Sequence, residues 1–283
     1  MPELRTTVGG LLTEARARLR EAGFAEAPRE AARIWAGLLR LPAGEAWLGR
    51  ERRATEAEAT RFIEAVERRA AGEPLAYVTG WTGFRRLTIA TDRRALIPRP
   101  ETEGLVELVL ARHRDGVVAD VCAGTGCIAL ALADEGRYTT VHAVESDPAA
   151  HALATENIRA TGLRVRLHRG DLVAPLRGLG LDVLVANPPY VTEAECDALD
   201  PSVQEWEPRV ALASGRDGLA HTRRLLDEGR GALRAEGLIA LELDATRATA
   251  SADLARDLGW TDIAVHRDLY GRERYLTARR SKE

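Results

Sequence analysis

Some residue types and patterns are scarce in this sequence of 283 residues. Cysteine occurs three times, at Cys122, Cys127 and Cys196, and lysine once, at Lys282. An odd number of cysteines without zinc-ligand spacing indicates free thiols in a reducing compartment. No stretch approaches the roughly 18 to 20 apolar residues of a membrane-spanning helix, and the first residues lack the apolar core of a signal peptide. We therefore expect a cytoplasmic protein without a membrane partner.

Positive charge is not in excess either. The sequence holds 40 lysine and arginine residues against 43 aspartate and glutamate residues, so the formal net charge is -3. A broad basic surface that grips nucleic acid through its phosphates is therefore not expected, nor is direct binding of nucleic acid. The length suits one large domain or two smaller ones.

Helical periodicity dominates the residues before Gly72. Apolar residues recur at helical spacing, Thr55-Glu56-Ala57-Glu58 has the form of a capping box, and Gly72 suits a helix end. Nothing in this segment has catalytic spacing, so we predict a small helical-bundle domain over residues 1–73 that recognises a partner or covers a site. Residues 74–97 are richer in Tyr, Thr, Val and Trp, which predicts a β-hairpin connector.

Strand and helix patterns alternate from residue 117 onward, which predicts an α/β domain over residues 98–283 with a mostly parallel sheet. The last two predicted strands, 262–266 and 274–278, have no helix between them, so at least one antiparallel pair is expected. Residues 218–235 have a helical pattern. The acidic segment 191–217 holds no clear helix or strand, and a loop of this length is usually functional or mobile.

A strand, two glycines and a helix follow one another in Asp120-Val121-Cys122-Ala123-Gly124-Thr125-Gly126 and the residues after it. Small residues let the backbone approach a ligand closely, and a helix N-terminus favours a negative group. Glu145 ends the next strand, where it could accept from ribose hydroxyls. Asp171 and Leu172 follow the third strand, where they could contact adenine. A nucleoside cofactor is predicted, but the loop alone also fits nicotinamide binders or a structural turn.

The tetrapeptide Asn187-Pro188-Pro189-Tyr190 follows the apolar run 181–186, which suits a strand buried on both faces. Proline cannot continue the strand, so Asn187 is predicted at the carboxyl edge of the sheet, where ligands bind in open α/β folds. The Asn187 side-chain oxygen and the Pro188 carbonyl could each accept one hydrogen of a planar NH₂ group resting on Tyr190. This arrangement suits transfer to an amide or an exocyclic amine by positioning and electrostatics.

The tetrapeptide resembles the N-P-P-Y motif of S-adenosylmethionine-dependent amino methyltransferases. Nearly the whole chain resembles the HemK/PrmC family, which methylates the glutamine of the Gly-Gly-Gln tripeptide in peptide chain release factors. The matching segments are Glu73 to Tyr77 with Gly80 and Phe84, Pro98 to Glu103, Asp120 to Gly126, Asn187 to Tyr190, Glu207-Pro208, Ala211-Leu212, Asp217-Gly218, and Asp268-Leu269 with Gly271 and Arg274.

The resemblance implies a Rossmann-like methyltransferase sheet with an antiparallel last strand, behind an N-terminal helical domain that helps dock the release factor. It implies S-adenosylmethionine as cofactor, S-adenosylhomocysteine as product, and no metal. Implied catalytic residues are Asn187, Pro188 and Tyr190, and Pro189 and Phe84 would join them in binding the glutamine. Implied cofactor-binding residues are Asp120, Cys122, Ala123, Gly124, Thr125, Gly126, Glu145, Asp171, Leu172 and Asn187.

Two departures from the family pattern stand out. Cys122-Ala123 replaces the usual initial glycine of the loop, and Glu242-Leu243-Asp244-Ala245-Thr246-Arg247 replaces Glu-x-Gly-x-x-Gln. The first departure leaves open a protein that binds the cofactor without catalysis, because a non-glycine residue tolerates fewer backbone conformations. Related activities on a ribosomal-protein glutamine or a nucleic-acid base also stay open. A nicotinamide oxidoreductase is disfavoured, because no His, Lys or Tyr lies where it could act as a proton donor beside the glycine loop.

Overall fold

A computed structural model describes residues 7–42 and 44–282. These residues form two compact units, one made of the chain up to Trp81 together with Pro201–Trp206, the other of Thr82–Asp200 together with the chain from Glu207 onward. Within the described part of the chain, no helix combines the length and the apolar character needed to cross a bilayer. The domain boundaries at residues 73 and 97 remain predictions.

The first unit is helical. Thr7 caps its first helix by accepting from the Gly10 N–H, and Thr55 and Glu58 form the predicted capping box of its longest helix. Trp35 and Phe62 pack edge to face in its core, with ring centroids 5.2 Å apart. The helices are α1 (Val8–Glu21), α2 (Ala27–Leu39), α3 (Glu45–Leu48), α4 (Glu56–Ala70), α5 (Leu75–Thr79) and α10 (Pro201–Trp206).

The connector begins with a helical turn that the sequence pattern did not predict. Helix α5 occupies its first residues, and Gly80 ends it in the left-handed region at φ 82°. Pro74 suits the helix start because its missing N–H would have no partner there. The predicted hairpin follows as β1 (Trp81–Phe84) and β2 (Leu87–Ala90), which confirms that part of the expectation.

The second unit contains a seven-stranded sheet in the order β5-β4-β3-β6-β7-β9-β8. Strands β3 to β7 run parallel in this order, and β9 is antiparallel to both of its neighbours. The predicted α/β class with an antiparallel last strand is confirmed. The strands are β3 (Val117–Val121), β4 (Thr140–Glu145), β5 (Val165–Arg169), β6 (Leu181–Ala186), β7 (Leu233–Glu242), β8 (Thr261–Arg267) and β9 (Glu273–Arg279).

Helices cover both faces of this sheet. The helices α6 (Pro100–Arg112) and α7 (Cys127–Glu135) pack on one face together with α8 (Pro148–Thr161). The helices α11 (Ala220–Gly229) and α12 (Ala248–Asp257) pack on the other. Because β3 and β6 lie between the two layers, their side chains are buried on both faces, as continuous apolar strands require.

Two sequence predictions in the second half were wrong. The helix predicted over 218–235 ends at Gly229, because Gly231 turns the chain back onto Glu228 and Leu233 then pairs with Leu181 in the sheet. The segment 191–217 is not free of helix, since α9 (Glu193–Cys196), α10 and a 3₁₀ turn at Arg209–Ala211 lie within it. A Thr-x-x-Glu capping box begins α9, and this signal was present in the sequence.

Candidate active site

A cleft opens at the carboxyl ends of the parallel strands. This is the edge at which α/β sheets bind ligands. The structure brings most of the predicted site residues together there. Those that line the cleft are Cys122, Ala123, Gly124, Thr125, Glu145, Asp171, Leu172, Asn187 and Pro189. Asp120, Gly126, Pro188, Tyr190 and Phe84 are not among the lining residues.

The loop after β3 exposes backbone to the cleft. Cys122 adopts φ 63° and Gly124 φ 54°, both in the left-handed region. A Cβ atom at Gly124 would meet nothing within 4 Å, so the glycine leaves open space on the cleft side. The Gly126 N–H donates to the Ala123 carbonyl at 2.7 Å and closes the turn before α7. The loop therefore presents mostly backbone to the cleft, which suits close approach of a ligand.

Glu145 couples this loop to the end of β4. Its Oε2 accepts from the Gly124 N–H at 2.8 Å, and its Oε1 accepts from the Asp147 N–H at 2.8 Å. The carboxylate is 8% exposed, and each oxygen keeps a further lone pair. Glu145 can thus hold the loop in shape and still accept from hydroxyl groups in the cleft.

Asp120 lies behind the loop rather than in it. The side chain is fully buried, and its Oδ2 accepts from the Ala129 N–H at 3.0 Å in the first turn of α7. Its Oδ1 has no hydrogen-bond partner among the described residues. Burial raises the pKa of Asp120 to about 8. The residue secures the helix that follows the loop, and a direct contact with the cofactor stays a prediction.

The third strand delivers Asp171 and Leu172. Leu172 is 4% exposed and holds φ 44°, a strained value for a leucine. The Asp171 carboxylate is exposed and pairs with Arg224 of α11 at 2.7 Å. This guanidinium holds the pKa of Asp171 below its usual range, so the carboxylate is ionised and available as an acceptor at neutral pH.

The tetrapeptide stands at the end of β6, as predicted. The Asn187 Nδ2 donates to Thr102 Oγ1 at 3.1 Å, so the Nδ2 edge of the carboxamide faces α6. The Tyr190 hydroxyl donates to Glu242 Oε1 at 3.4 Å. Burial raises the pKa of Tyr190, which keeps the phenol protonated at neutral pH. Pro188 and Pro189 are buried and hold the turn rigid.

Glu207 and Arg99 lie in segments that match the family, but the sequence assigned neither of them a role at the site. Glu207 is buried, pairs with Arg99 at 2.5 Å and accepts from the Ile97 N–H at 3.2 Å. Arg99 and Ile97 line the cleft, so Glu207 joins the chain after 206 to the segment before α6. Phe84 is 1% exposed and belongs to the hydrophobic core of the sheet; its contact with a substrate stays a prediction.

Comparisons with known proteins identify the family of this chain. The model of the PrmC N-terminal domain matches residues 10–80, and that of the methyltransferase small domain matches residues 101–201. A release factor glutamine methyltransferase of Moorella thermoacetica is 44% identical over 271 residues, covering 93% of this chain and 95% of its own. The chain belongs to the release factor glutamine methyltransferase family. The resemblance stated from the sequence is thereby confirmed.

Further members of the release factor glutamine methyltransferase family match over most of the chain. That of Nitratidesulfovibrio vulgaris is 39% identical over 283 residues, covering 97% of this chain and 96% of its own. Among solved structures, a methyltransferase from Pyrococcus furiosus superposes with a TM-score of 0.55 at 18% identity, covering 80% of this chain and 100% of its own. At that identity the superposition supports the fold alone.

Proposed function

We propose that this protein transfers a methyl group from S-adenosylmethionine to the side-chain amide nitrogen of the glutamine in the Gly-Gly-Gln tripeptide of release factors, in the cytoplasm. Family membership supports the reaction class. The observation that carries the assignment to this site is the Asn187 carboxamide, whose Nδ2 is engaged by Thr102 at 3.1 Å, leaving Oδ1 to accept from a substrate. The helical domain predicted over residues 1–73 would dock the release factor.

The cleft fits the proposed cofactor. The open space at Gly124 would accommodate the methionine part, Glu145 would accept from the ribose hydroxyls, and Asp171 with Leu172 would hold the adenine. When bound, the cofactor supplies an electrophilic methyl group on a sulfonium sulfur. Because Glu145 already binds the Gly124 N–H, the ribose site and the loop are held by one carboxylate.

The acceptor nitrogen is held by positioning rather than by a strong base. Asn187 Oδ1 and the Pro188 carbonyl each accept one N–H of the glutamine amide, and the Tyr190 ring supports its plane. Two accepted hydrogen bonds raise the electron density on a nitrogen that is otherwise a poor nucleophile, and they direct it at the methyl group. Neither acceptor is a strong base, so the proton released on methylation passes to solvent.

The test is mass spectrometry of a release factor after incubation with the protein and S-adenosylmethionine. We expect one added methyl group on the Gly-Gly-Gln glutamine. Asn187→Ala should lower kcat by about 100-fold or more, while calorimetry should show cofactor affinity largely kept. An unmodified glutamine would refute the function. Unchanged turnover in the variant would refute only the role of Asn187.

The nearest alternative is methylation of a ribosomal-protein glutamine or of a base amino group. Methyl incorporation should be measured side by side in protein, RNA and DNA fractions of a cell extract. Label in the release factor alone supports the proposal, whereas label in ribosomal protein or nucleic acid favours the alternative.

A further inference from the structure

The hydrogen bond between Asn187 and Thr102 raises a question of direction. A carboxamide has an oxygen edge that accepts and a nitrogen edge that donates, whereas a hydroxyl can do either. Thr102 alone could therefore bind either edge of Asn187. Only the orientation found here, with Nδ2 on Thr102 Oγ1, leaves Oδ1 for a substrate N–H. Something must keep the Thr102 hydroxyl hydrogen away from Asn187.

Glu242, a buried residue that interacts with Thr102, can supply that bias. Its side chain is 1% exposed, and this burial raises its pKa, while the neighbouring Thr102 hydroxyl acts against the rise. Its Oε1 accepts from the Tyr190 hydroxyl at 3.4 Å, whereas its Oε2 has no hydrogen-bond partner among the described residues and is open to a hydroxyl hydrogen. An ionised carboxylate accepts only, so it draws the hydroxyl hydrogen to itself and leaves the Thr102 oxygen to accept from Asn187.

The first turn of α6 is held in place, so Thr102 cannot follow a rotating carboxamide. The Tyr275 hydroxyl of β9 donates to the Glu101 carbonyl at 2.6 Å. Its ring packs so closely on the helix that a Cβ atom at Gly104 would overlap the Tyr275 hydroxyl oxygen. Thr102 is itself 2% exposed. The helix therefore presents a fixed hydroxyl to Asn187.

We propose that Thr102 and Glu242 are positioning residues that determine which edge of the Asn187 carboxamide faces the substrate amide. The proposal rests on the proposed function, because it concerns the acceptor that Asn187 offers to the glutamine. Thr102 acts through Asn187, and Glu242 acts through Thr102. The same carboxylate also receives the Tyr190 hydroxyl, so one buried group orients two parts of the tetrapeptide.

The first test replaces Thr102. Thr102→Val keeps the shape and removes the hydroxyl, and we expect kcat to fall about 10- to 100-fold while the KM for S-adenosylmethionine changes little. Thr102→Ser restores the hydroxyl and should recover most of kcat. The matched control is Thr222→Val, at a buried threonine whose Oγ1 has no hydrogen-bond partner among the described residues; its kcat should equal that of the wild type.

The second test uses the charge of Glu242. Burial raises its pKa to about 7, and a protonated carboxyl can donate to Thr102 and release the Thr102 hydroxyl toward Asn187 Oδ1. We expect kcat of the wild type to fall as pH falls through about 7. Glu242→Gln carries a permanent donor, so its kcat should be low and lack this pH step. Glu242 interacts electrostatically with the charged or titratable groups of Glu101, Cys127, Tyr190, Arg274 and Tyr275.

The outcomes separate this inference from the proposed function. If the wild type methylates the release factor and Thr102→Val has the same kcat, the positioning role is overturned and the function stands. Equal losses in Thr102→Val and Thr102→Ser would also overturn it, because packing would then explain the effect. If the wild type itself leaves the glutamine unmodified, the function fails first.

Discussion

Asp120 offers a prediction about stability that is independent of catalysis. Its carboxyl is fully buried, one oxygen binds the Ala129 N–H, and burial raises its pKa to about 8. In the unfolded chain the pKa is about 3.9. Between these values the folded chain holds a proton on Asp120 that the unfolded chain has lost. The free energy of unfolding should therefore fall as pH rises through this window, and the stability linked to Asp120 is fully present only at low pH.

One proton sets the size of the effect. Each bound proton that distinguishes the two states changes the free energy of unfolding by about 1.4 kcal/mol per pH unit. Asp120→Asn removes this contribution and can still accept from the Ala129 N–H through its amide oxygen. The amide nitrogen takes the place of Oδ1, which has no hydrogen-bond partner among the described residues, and so becomes a buried donor without an acceptor. The free energy of unfolding of Asp120→Asn should therefore also be lower by about 1–3 kcal/mol at every pH.

Urea denaturation at about pH 5, 6 and 7 tests the slope. The difference in free energy of unfolding between wild type and Asp120→Asn should change by about 1.4 kcal/mol per pH unit, because the wild type loses stability faster as pH rises. Asp257→Asn, at an exposed aspartate, is the control and should run parallel to the wild type. If Asp120→Asn also runs parallel to the wild type, then Asp120 is ionised in the folded state and the argument from burial is refuted.

Two further predictions concern the departures from the family pattern. Cys122 holds φ 63°, and a residue with a side chain is strained by about 1–2 kcal/mol at this φ. Glycine avoids the strain but loses about 0.5–1 kcal/mol more conformational entropy on folding than alanine does. Chemical denaturation should thus find Cys122→Gly about 0.5–1 kcal/mol more stable than Cys122→Ala, and equal stability would contradict strain. Arg247 binds Glu195 at 2.6 Å and the Asp217 carbonyl at 2.8 Å. Arg247→Gln should accelerate amide hydrogen exchange across residues 191–217, and unchanged exchange would show that Arg247 does not hold this segment.

Local pattern was sufficient for most of the fold. The capping box at Thr55, the apolar strand before Asn187 and the alternation of strands and helices are short-range signals, and each predicted its element. The helix over 218–235 failed because helical spacing continued past Gly231, whereas the pairing of Leu233 with Leu181 comes from a partner strand distant in sequence. The one-turn helix at Leu75–Thr79 is too short for periodicity to identify.

The candidate site was predictable where a residue faces the cleft from the end of a strand. Asn187, Glu145 and Asp171 occupy such ends, and all three line the cleft. The groups that hold the tetrapeptide were not predictable, because Thr102 and Glu242 come from elements far apart in the sequence. For Asp120 the family resemblance implied cofactor contact, which stays a prediction, and the bond of its carboxyl group to the backbone of the next helix was not predicted.

The place of β9 between β7 and β8 has a consequence for the order of folding. Strand β8 pairs only with β9 in the described sheet, so these two strands form a local hairpin that joins the edge of β7 as one unit. Until it joins, β7 presents an open edge, which is a site of misassembly. The same hairpin carries Tyr275, which fixes the first turn of α6. A chain that has formed its parallel strands but not docked this hairpin would already possess the cofactor loop and still lack an ordered Thr102. Competence to bind the cofactor should therefore appear earlier during refolding than competence to methylate.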